Sequence, residues 1–411
     1  MSMLKKDFSK INIRPLTCIL AASLALAANV AHAQAIMNIQ GATIYSDQQA
    51  MIYVDGDVSF LDGNILHNGI MEITGNWAND NETKNEAFDP ASIGDVKLIT
   101  GVQEIQGFQT TAFPTLSLEG WDRKVLKVNT KATRGINLNK FELDVNGNDM
   151  WVTNPSTNAI TRSTGYVNTS NAPLGRLIRT VNGGATYEYP LAGNAPYRYR
   201  PITATATDDG VLAGQFQNYD ANNDGYDRNR IIVENYNKIN PEFYHVVTAI
   251  SGITSADVKI AYNTSEDGGA YSGLARWIVG DNHWVDAGNY QDAAEAGEGT
   301  DHSMHYRFDD GGSHVLAFMD TIASDPIFVV SGFTPNNDGK NDYFVIKGLE
   351  NYRTNELKVF NRWGKLVYTA VGYQNDWAGN GLDMDTYMYY LRVTDMHNKS
   401  RIIKGDVTLI R

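Results

Sequence analysis

From residue 35 to about residue 180 the chain alternates apolar and polar positions in short runs, and Gly, Asn and Asp punctuate them. Met51-Ile52-Tyr53-Val54, Val58-Ser59-Phe60, Ile70-Met71-Glu72-Ile73, Asp95-Val96-Lys97-Leu98 and Phe141-Glu142-Leu143-Asp144-Val145 repeat this texture. A period of two sends successive side chains to opposite faces, so each run predicts a half-buried strand. Strands this short bury little alone. Stacked in successive coils they share one continuous core, as in a β-solenoid, while the irregular repeat leaves an ordinary antiparallel sandwich as the alternative for residues 34–185.

Longer alternating runs follow between residues 187 and 320, among them Tyr197-Arg198-Tyr199-Arg200, Val258-Lys259-Ile260-Ala261-Tyr262 and His314-Val315-Leu316-Ala317-Phe318. Their spacing predicts one β-sandwich, Ig-like or jelly-roll, over residues 186–322. The best short helix candidate is residues 291–298 (QDAAEAGE), although nearby glycines limit it. With 37 glycines, 22 tyrosines and few long apolar runs, the chain reads as all-β with several domains. Residues 320–326 read as a linker, because Pro326 closes a polar, small-residue stretch.

The densest pattern lies in residues 333–411. A proline-started, Asx-rich turn carries Asn336, Asp338, Asn341 and Asp342 around a glycine that can take positive φ. Two alternating runs over residues 356–368 are split by Asn361-Arg362-Trp363-Gly364, as in a hairpin with glycine in its bend. Asn375-Asp376-Trp377 precedes a loop, residues 386–394 (TYMYYLRVT) alternate two faces, and residues 404–411 read as a strand tied into a sheet.

The segments TPNNDGKNDYF, NELKVFNRWGKLVY, YQNDW and KGDVTLIR, in this order, resemble the gliding-motility-associated C-terminal domain, the type B sorting domain of type IX secretion. The family pattern usually has glycine where Asn337 stands and Asp-Gly where Ala378-Gly379 stand. The resemblance implies an Ig-like β-sandwich at residues 323–411 and export across the outer membrane of a Gram-negative bacterium. It implies as partner the outer-membrane type IX machinery with a PorP/SprF-like barrel, and it is silent on the activity of the rest of the chain. Within this domain Arg362 and Trp363 are the expected docking anchors, since interfaces concentrate energy in Arg and Trp. Asp376 and Trp377 stand in a neighbouring loop, and for both tryptophans a place in the core is the alternative.

The other end agrees. Lys5, Lys6, Lys10 and Arg14 precede an apolar run over residues 16–28, and Ala31-His32-Ala33 offers small residues for signal peptidase, so residues 1–33 read as a signal peptide cleaved after Ala33. The run is too short to span a bilayer, which needs ~20 residues, so no transmembrane span is expected in the mature chain. Cys18 is the only cysteine and lies inside this segment, so neither disulfides nor thiolate sites are expected after cleavage. Four basic residues and Asp7 leave with it: 34 basic and 47 acidic residues become 30 and 46, and the net charge moves from −13 to −16. Such a surface argues against nucleic acid as a partner.

Candidate chemistry is sparse. Asp220, Asn222 and Asp224, followed by Gly225, fit the first half of a calcium loop, but Ile231 stands where the twelfth-position acid belongs. Asp227 or Glu234 is the substitute ligand, and a polar turn is the alternative. The Asn336, Asp338, Asn341 and Asp342 turn is a second oxygen-rich candidate for calcium, equally explained by Asx capping. His302 and His305 fall on opposite faces if their segment is a strand. A basic cluster, Arg123, Lys124, Lys127 and Lys131, raises a polysaccharide-lyase reading, with a solvated strand face as the plainer explanation. Trp284 and Tyr290, near a Gly-Asp-Asn loop, are candidate glycan contacts. Together these features describe a secreted, surface-displayed, non-enzymatic β-rich protein, an adhesin or structural component, with a carbohydrate-binding module or weak glycan-active lyase or hydrolase as the alternative.

Overall fold

Strand Ile36–Ile39 lies parallel to Asp57–Phe60, which lies parallel to Trp77–Asn79. The ladder continues through Gln103–Gly107, Lys124–Leu126, Glu142–Asp144 and Tyr166–Asn168. A second parallel ladder runs through Met51–Val54, Ile70–Ile73, Asp95–Leu98, Thr111–Leu118, Thr130–Asn139 and Asp149–Val152. In this computed structural model the N-terminal region is therefore a β-solenoid of about six turns. Successive strands of the first wall begin 18 to 26 residues apart, so the irregular spacing of the sequence reflects corner loops of unequal length.

Parallel, in-register stacking turns alternation into columns. Val58, Trp77, Ile105 and Leu126 stack on one wall, and Met71, Val96, Leu116 and Ile136 on the other, all buried. A slip of one residue would turn every column to solvent, which is what holds the register. Trp77 packs in this core between Phe88 and Phe113, each with its ring centroid 5.3 Å away. Its Nε1–H donates to Thr111 Oγ1 at 2.8 Å, giving the buried indole the partner it needs. Gly107 closes one corner at φ +112°; a Cβ there would stand 2.3 Å from the Asn79 carbonyl oxygen, so only glycine fits.

The second wall does not stop where the solenoid ends. Arg176–Val181 pairs parallel with Asp149–Val152 on one side and antiparallel with Gly210–Gln217 on the other. The sheet then continues antiparallel through Tyr244–Ser251, Ser313–Thr321, Gly273–Ile278 and His283–Asp286. A separate five-stranded antiparallel sheet has the order Thr186–Tyr189, Ile202–Ala206, Ala256–Tyr262, Thr300–Phe308, Tyr290–Gly297. Residues of both sheets share one core with the solenoid, in which Phe216, Phe243, Tyr262, Met304 and Phe318 are buried. The expected helix at residues 291–298 is instead strand over residues 291–297, within Tyr290–Gly297, and Glu298 lies in the turn that follows. Pairing with Thr300–Phe308 overrides the helical preference of its alanines and glutamates.

The structure describes residues 11–12, 36–82, 86–172, 175–232, 236–269, 271–288, 290–321, 327–394 and 400–411. The expected signal peptide apart from Ile11 and Asn12, with Cys18 and the cleavage position after Ala33, lies outside them, as do Glu234 and residues 322–326 of the expected linker. Among the described residues no helix is long and apolar enough to cross a membrane.

The chain divides into two compact units: residues 1–232 with 239–319, and residues 233–238 with 320–411. In the second, a five-stranded sheet has the order Gly332–Phe333, Ser400–Leu409, Asp385–Thr394, Thr354–Phe360, Leu366–Val371, and Phe328–Val329 pairs with Ile346–Lys347. These sheets are consistent with a β-sandwich. Inward positions of the long strands, Leu357, Val359, Tyr387, Leu391, Val393 and Val407, close its core with Phe333, Phe344 and Trp377.

Candidate functional site

The hairpin of the C-terminal unit forms as its spacing predicts. Asn361 Oδ1 accepts from the backbone N–H groups of Trp363 and Lys365, and Gly364 takes φ +74° in the bend. This turn leaves Trp363 83% exposed. Beside it Arg362 donates to Asp385 Oδ2 through Nε at 2.6 Å, which holds the Asp385 carboxyl below its ordinary range. Gly381, Leu382, Asp383 and Tyr387 complete a cleft of about 170 Å³ at this tip.

Trp377 is elsewhere. It is 5% exposed, with Phe333 at 5.3 Å and Tyr368 at 5.5 Å between ring centroids, so its expected docking role gives way to the core alternative. The physical reason is the backbone around it, since Phe344 N–H donates to the Trp377 carbonyl and draws the indole inward. Asp376 remains exposed and accepts from the Tyr368 hydroxyl at 3.2 Å.

In the turn at residues 336–342, Asp342 is the hub: Oδ1 accepts from the N–H groups of Asn336 and Asn337, and Oδ2 from Gly339. Asp338 Oδ1 accepts from Lys340 N–H, and Asn336 Oδ1 from Asp338 N–H. These Asx caps account for the oxygen-rich composition without an ion. Asn337 and Asn341 both take positive φ, +64° and +52°. Asparagine is the non-glycine residue best suited to that region, which explains why Asn337 serves where glycine is usual.

The other oxygen-rich loop is also turned inward on itself. Asp220 caps the short 3-10 helix Ala221–Asp224 and makes a bidentate pair with Arg228, 2.7 Å at each contact, which holds its carboxyl below the ordinary value. Asn222 Oδ1 accepts from Arg228 N–H, and Asp224 accepts from the hydroxyls of Tyr219 and Tyr244. Burial, with Asp224 close by, raises both tyrosine pKa values. Asp227 caps Asn229 and faces Arg230 instead of joining the other acids. Each of these oxygen-bearing side chains thus has a hydrogen-bond partner within the protein. Among the described residues no group of three or more His, Cys, Asp or Glu side chains converges on a metal position.

Trp284 is fully buried, so its expected glycan contact is corrected. Its ring packs against Trp277 at 5.3 Å, its Nε1–H donates to the Tyr226 carbonyl, and its strand pairs with Gly273–Ile278, which carries it into the core. Tyr290 is half-buried and stands opposite the inward Tyr306, so its ring packs against the core, while a groove of about 590 Å³ lies on the outer face of the same five-stranded sheet. His302 and His305 lie on the strand Thr300–Phe308, the first against Tyr262 and Asp301, the second 4.0 Å from Glu295. The basic cluster disperses. Lys127 pairs with Glu104, Lys131 lies over the Trp151 ring, and Lys124 is buried with Nζ donating to the carbonyls of Thr100 and Gly101. That burial pushes the Lys124 amine down to about 8.

Sequence reasoning missed a buried ion network. Arg200 and Asp267 are both buried and bonded at 2.6 and 2.7 Å, with Arg198 Nε 3.3 Å from the same carboxylate and Glu266 on Arg200 Nη2 at 2.9 Å. The signal available was the pair of arginines two apart in a run otherwise reading as strand, but their acids lie 66 and 67 positions away from Arg200. A family model described as the CHU_C type IX secretion signal domain matches residues 327–409. Neither a curated protein nor a solved structure matches the chain.

Proposed function

We propose that this protein, marked for type IX secretion by its residues 327–409, works at the cell exterior as a non-catalytic adhesin or structural component. The carrying observation is the division of labour in the chain. The matched residues build one unit with its own core, and the solenoid and sandwich build another whose hydrophobic cluster is separate. The unit with the matched residues is the address, and the unit of solenoid and sandwich is the surface presented. The solenoid supports a mechanical role, since each coil rests on its neighbours and exposes a long regular face. The acid and base candidates of the presented unit are committed to internal partners, as Asp220 is to Arg228 and Lys124 to two carbonyls. Protease shaving of intact cells is expected to release solenoid and sandwich peptides, and beads coated with purified protein are expected to bind cells or their exopolysaccharide. Shaving that releases none of them, or release of sugar from polysaccharides by the purified protein, sinks the proposal.

Docking to the outer-membrane machinery is assigned to the hairpin tip. Trp363 is the exposed aromatic there, with Arg362 held beside it by Asp385. Trp363→Ala removes a side chain that packs on nothing in its own core, so the thermal midpoint is expected to stay within a degree or so. Co-purification with the export complex and its barrel is expected to fall at least tenfold, the size of an aromatic hot spot. Undiminished co-purification of Trp363→Ala and of Arg362→Glu moves the docking surface elsewhere.

A further inference from the structure

The outer face of the five-stranded sheet is polar in ordered rows. Register places Thr186, Thr205, Asp257 and Arg307 side by side across four strands. Two residues along, Thr203, Lys259, His305 and Gln291 form a second row. Neighbouring strands stand about 4.8 Å apart, so a row crossing four of them spans about 14 Å. The groove over these rows has a volume of about 590 Å³, and Gln291 lines it from the outermost strand.

The charges in this groove are already matched. Arg307 Nη1 lies 2.8 Å from Asp257, and Lys259 Nζ lies 2.7 Å from Glu295, which also accepts from Ser303. A ligand therefore meets fixed donors and acceptors in alternation without a surplus of either sign. An acidic polymer finds no uncommitted cation here and is opposed by a chain of net charge −13. A protein partner finds no exposed cluster of large apolar anchors among the lining residues. A neutral sugar chain fits both facts: each hydroxyl donates and accepts at once, matching threonine, glutamine and imidazole.

We propose that this groove is a binding site for a neutral, hydroxyl-rich oligosaccharide, read by the Thr203, Lys259, His305 and Gln291 row. The inference rests on the surface-display reading and names the ligand class that display would serve. Purified full-length protein is titrated calorimetrically with laminarin, xylan and mannan as neutral polymers and with alginate as the acidic one. At least one neutral polymer is expected to bind and alginate is not. Thr203→Tyr, a substitution that an outward strand position accommodates, is expected to fill the groove and weaken binding at least tenfold with the thermal midpoint unchanged. The double variant His305→Ala/Gln291→Ala, which leaves space instead of filling it, is expected to weaken binding by a similar factor. Failure of all three neutral polymers to bind, equal binding of alginate, or binding that survives both variants overturns the assignment. Shaving of intact cells reads display separately, so a displayed protein that binds no neutral glycan removes this inference and leaves the surface reading standing.

Discussion

Truncation after residue 326 is expected to abolish surface display: the remaining chain stays in the periplasm, protected from protease added to intact cells and digested once the outer membrane is opened. The expectation depends on the truncated chain still folding. Its hydrophobic cluster runs from Ile39 to Phe318 and includes none of the residues that build the C-terminal core. Loss of display would then report a missing address. A point variant makes the same argument from within the address. Trp377 sits among Phe333, Phe344 and Tyr368, and removing a buried tryptophan costs about 3–5 kcal/mol, a large part of the stability of a domain this size. Trp377→Ala is therefore expected to reproduce the truncation by unfolding the sorting unit, whereas Trp363→Ala leaves it folded and weakens docking alone. A truncated chain shaved from intact cells as readily as the full one ends the type IX assignment.

Asp267→Asn is expected to be the most damaging isosteric change in the presented unit, lowering unfolding stability by about 3–5 kcal/mol. The substitution keeps shape and removes charge. Arg200, fully buried, would then lose its buried counter-charge and keep only the exposed Glu266 carboxylate and the carbonyls of Tyr199 and Gly299. Asp267 also accepts from Asn263 N–H and lies within reach of Arg198, so one carboxylate serves the strand entry, the loop at residues 263–269 and two arginines. Pairing does not by itself make such a site stabilising, because desolvating two charges offsets much of their attraction. The discriminating measurement is thus a double-mutant cycle by urea unfolding, with Asp267→Leu, Arg200→Met and both together. The double variant is expected to be more stable than either single one, since neither charge is left alone. A cost below about 1 kcal/mol for Asp267→Asn would show that water enters the site and screens Arg200.

How much of this was legible before folding depended on whether the deciding contact was local. The strands Ile70–Ile73, Asp95–Leu98 and Glu142–Asp144 follow from alternation alone, and so does the hairpin around Asn361-Arg362-Trp363-Gly364, where side-chain capping and a positive φ are settled within five residues. The sorting unit was readable for the same reason: its turns carry their own conformational requirements in Asn, Asp and Gly. Composition and charge likewise set the all-β class and argued against nucleic acid, because both are sums over residues that no fold rearranges.

Tertiary structure decided what alternation leaves open. A half-buried strand looks the same in a coil or a sandwich, and only the parallel stacking of Val58, Trp77, Ile105 and Leu126 made the N-terminal region a solenoid. Residues 291–298 carry helix formers, yet a neighbouring strand offered more hydrogen bonds than an isolated helical turn. Three tryptophans near loops looked alike in sequence. Trp363 stayed outside because its turn is closed by Asn361, while Trp284 and Trp377 went inward because strand pairing and a backbone bond pulled their rings over aromatic neighbours. The Arg200 and Asp267 pair and the polar rows facing the groove were invisible for one physical reason. Each joins residues tens of positions apart, and such a contact exists only after the sheets have chosen their partners.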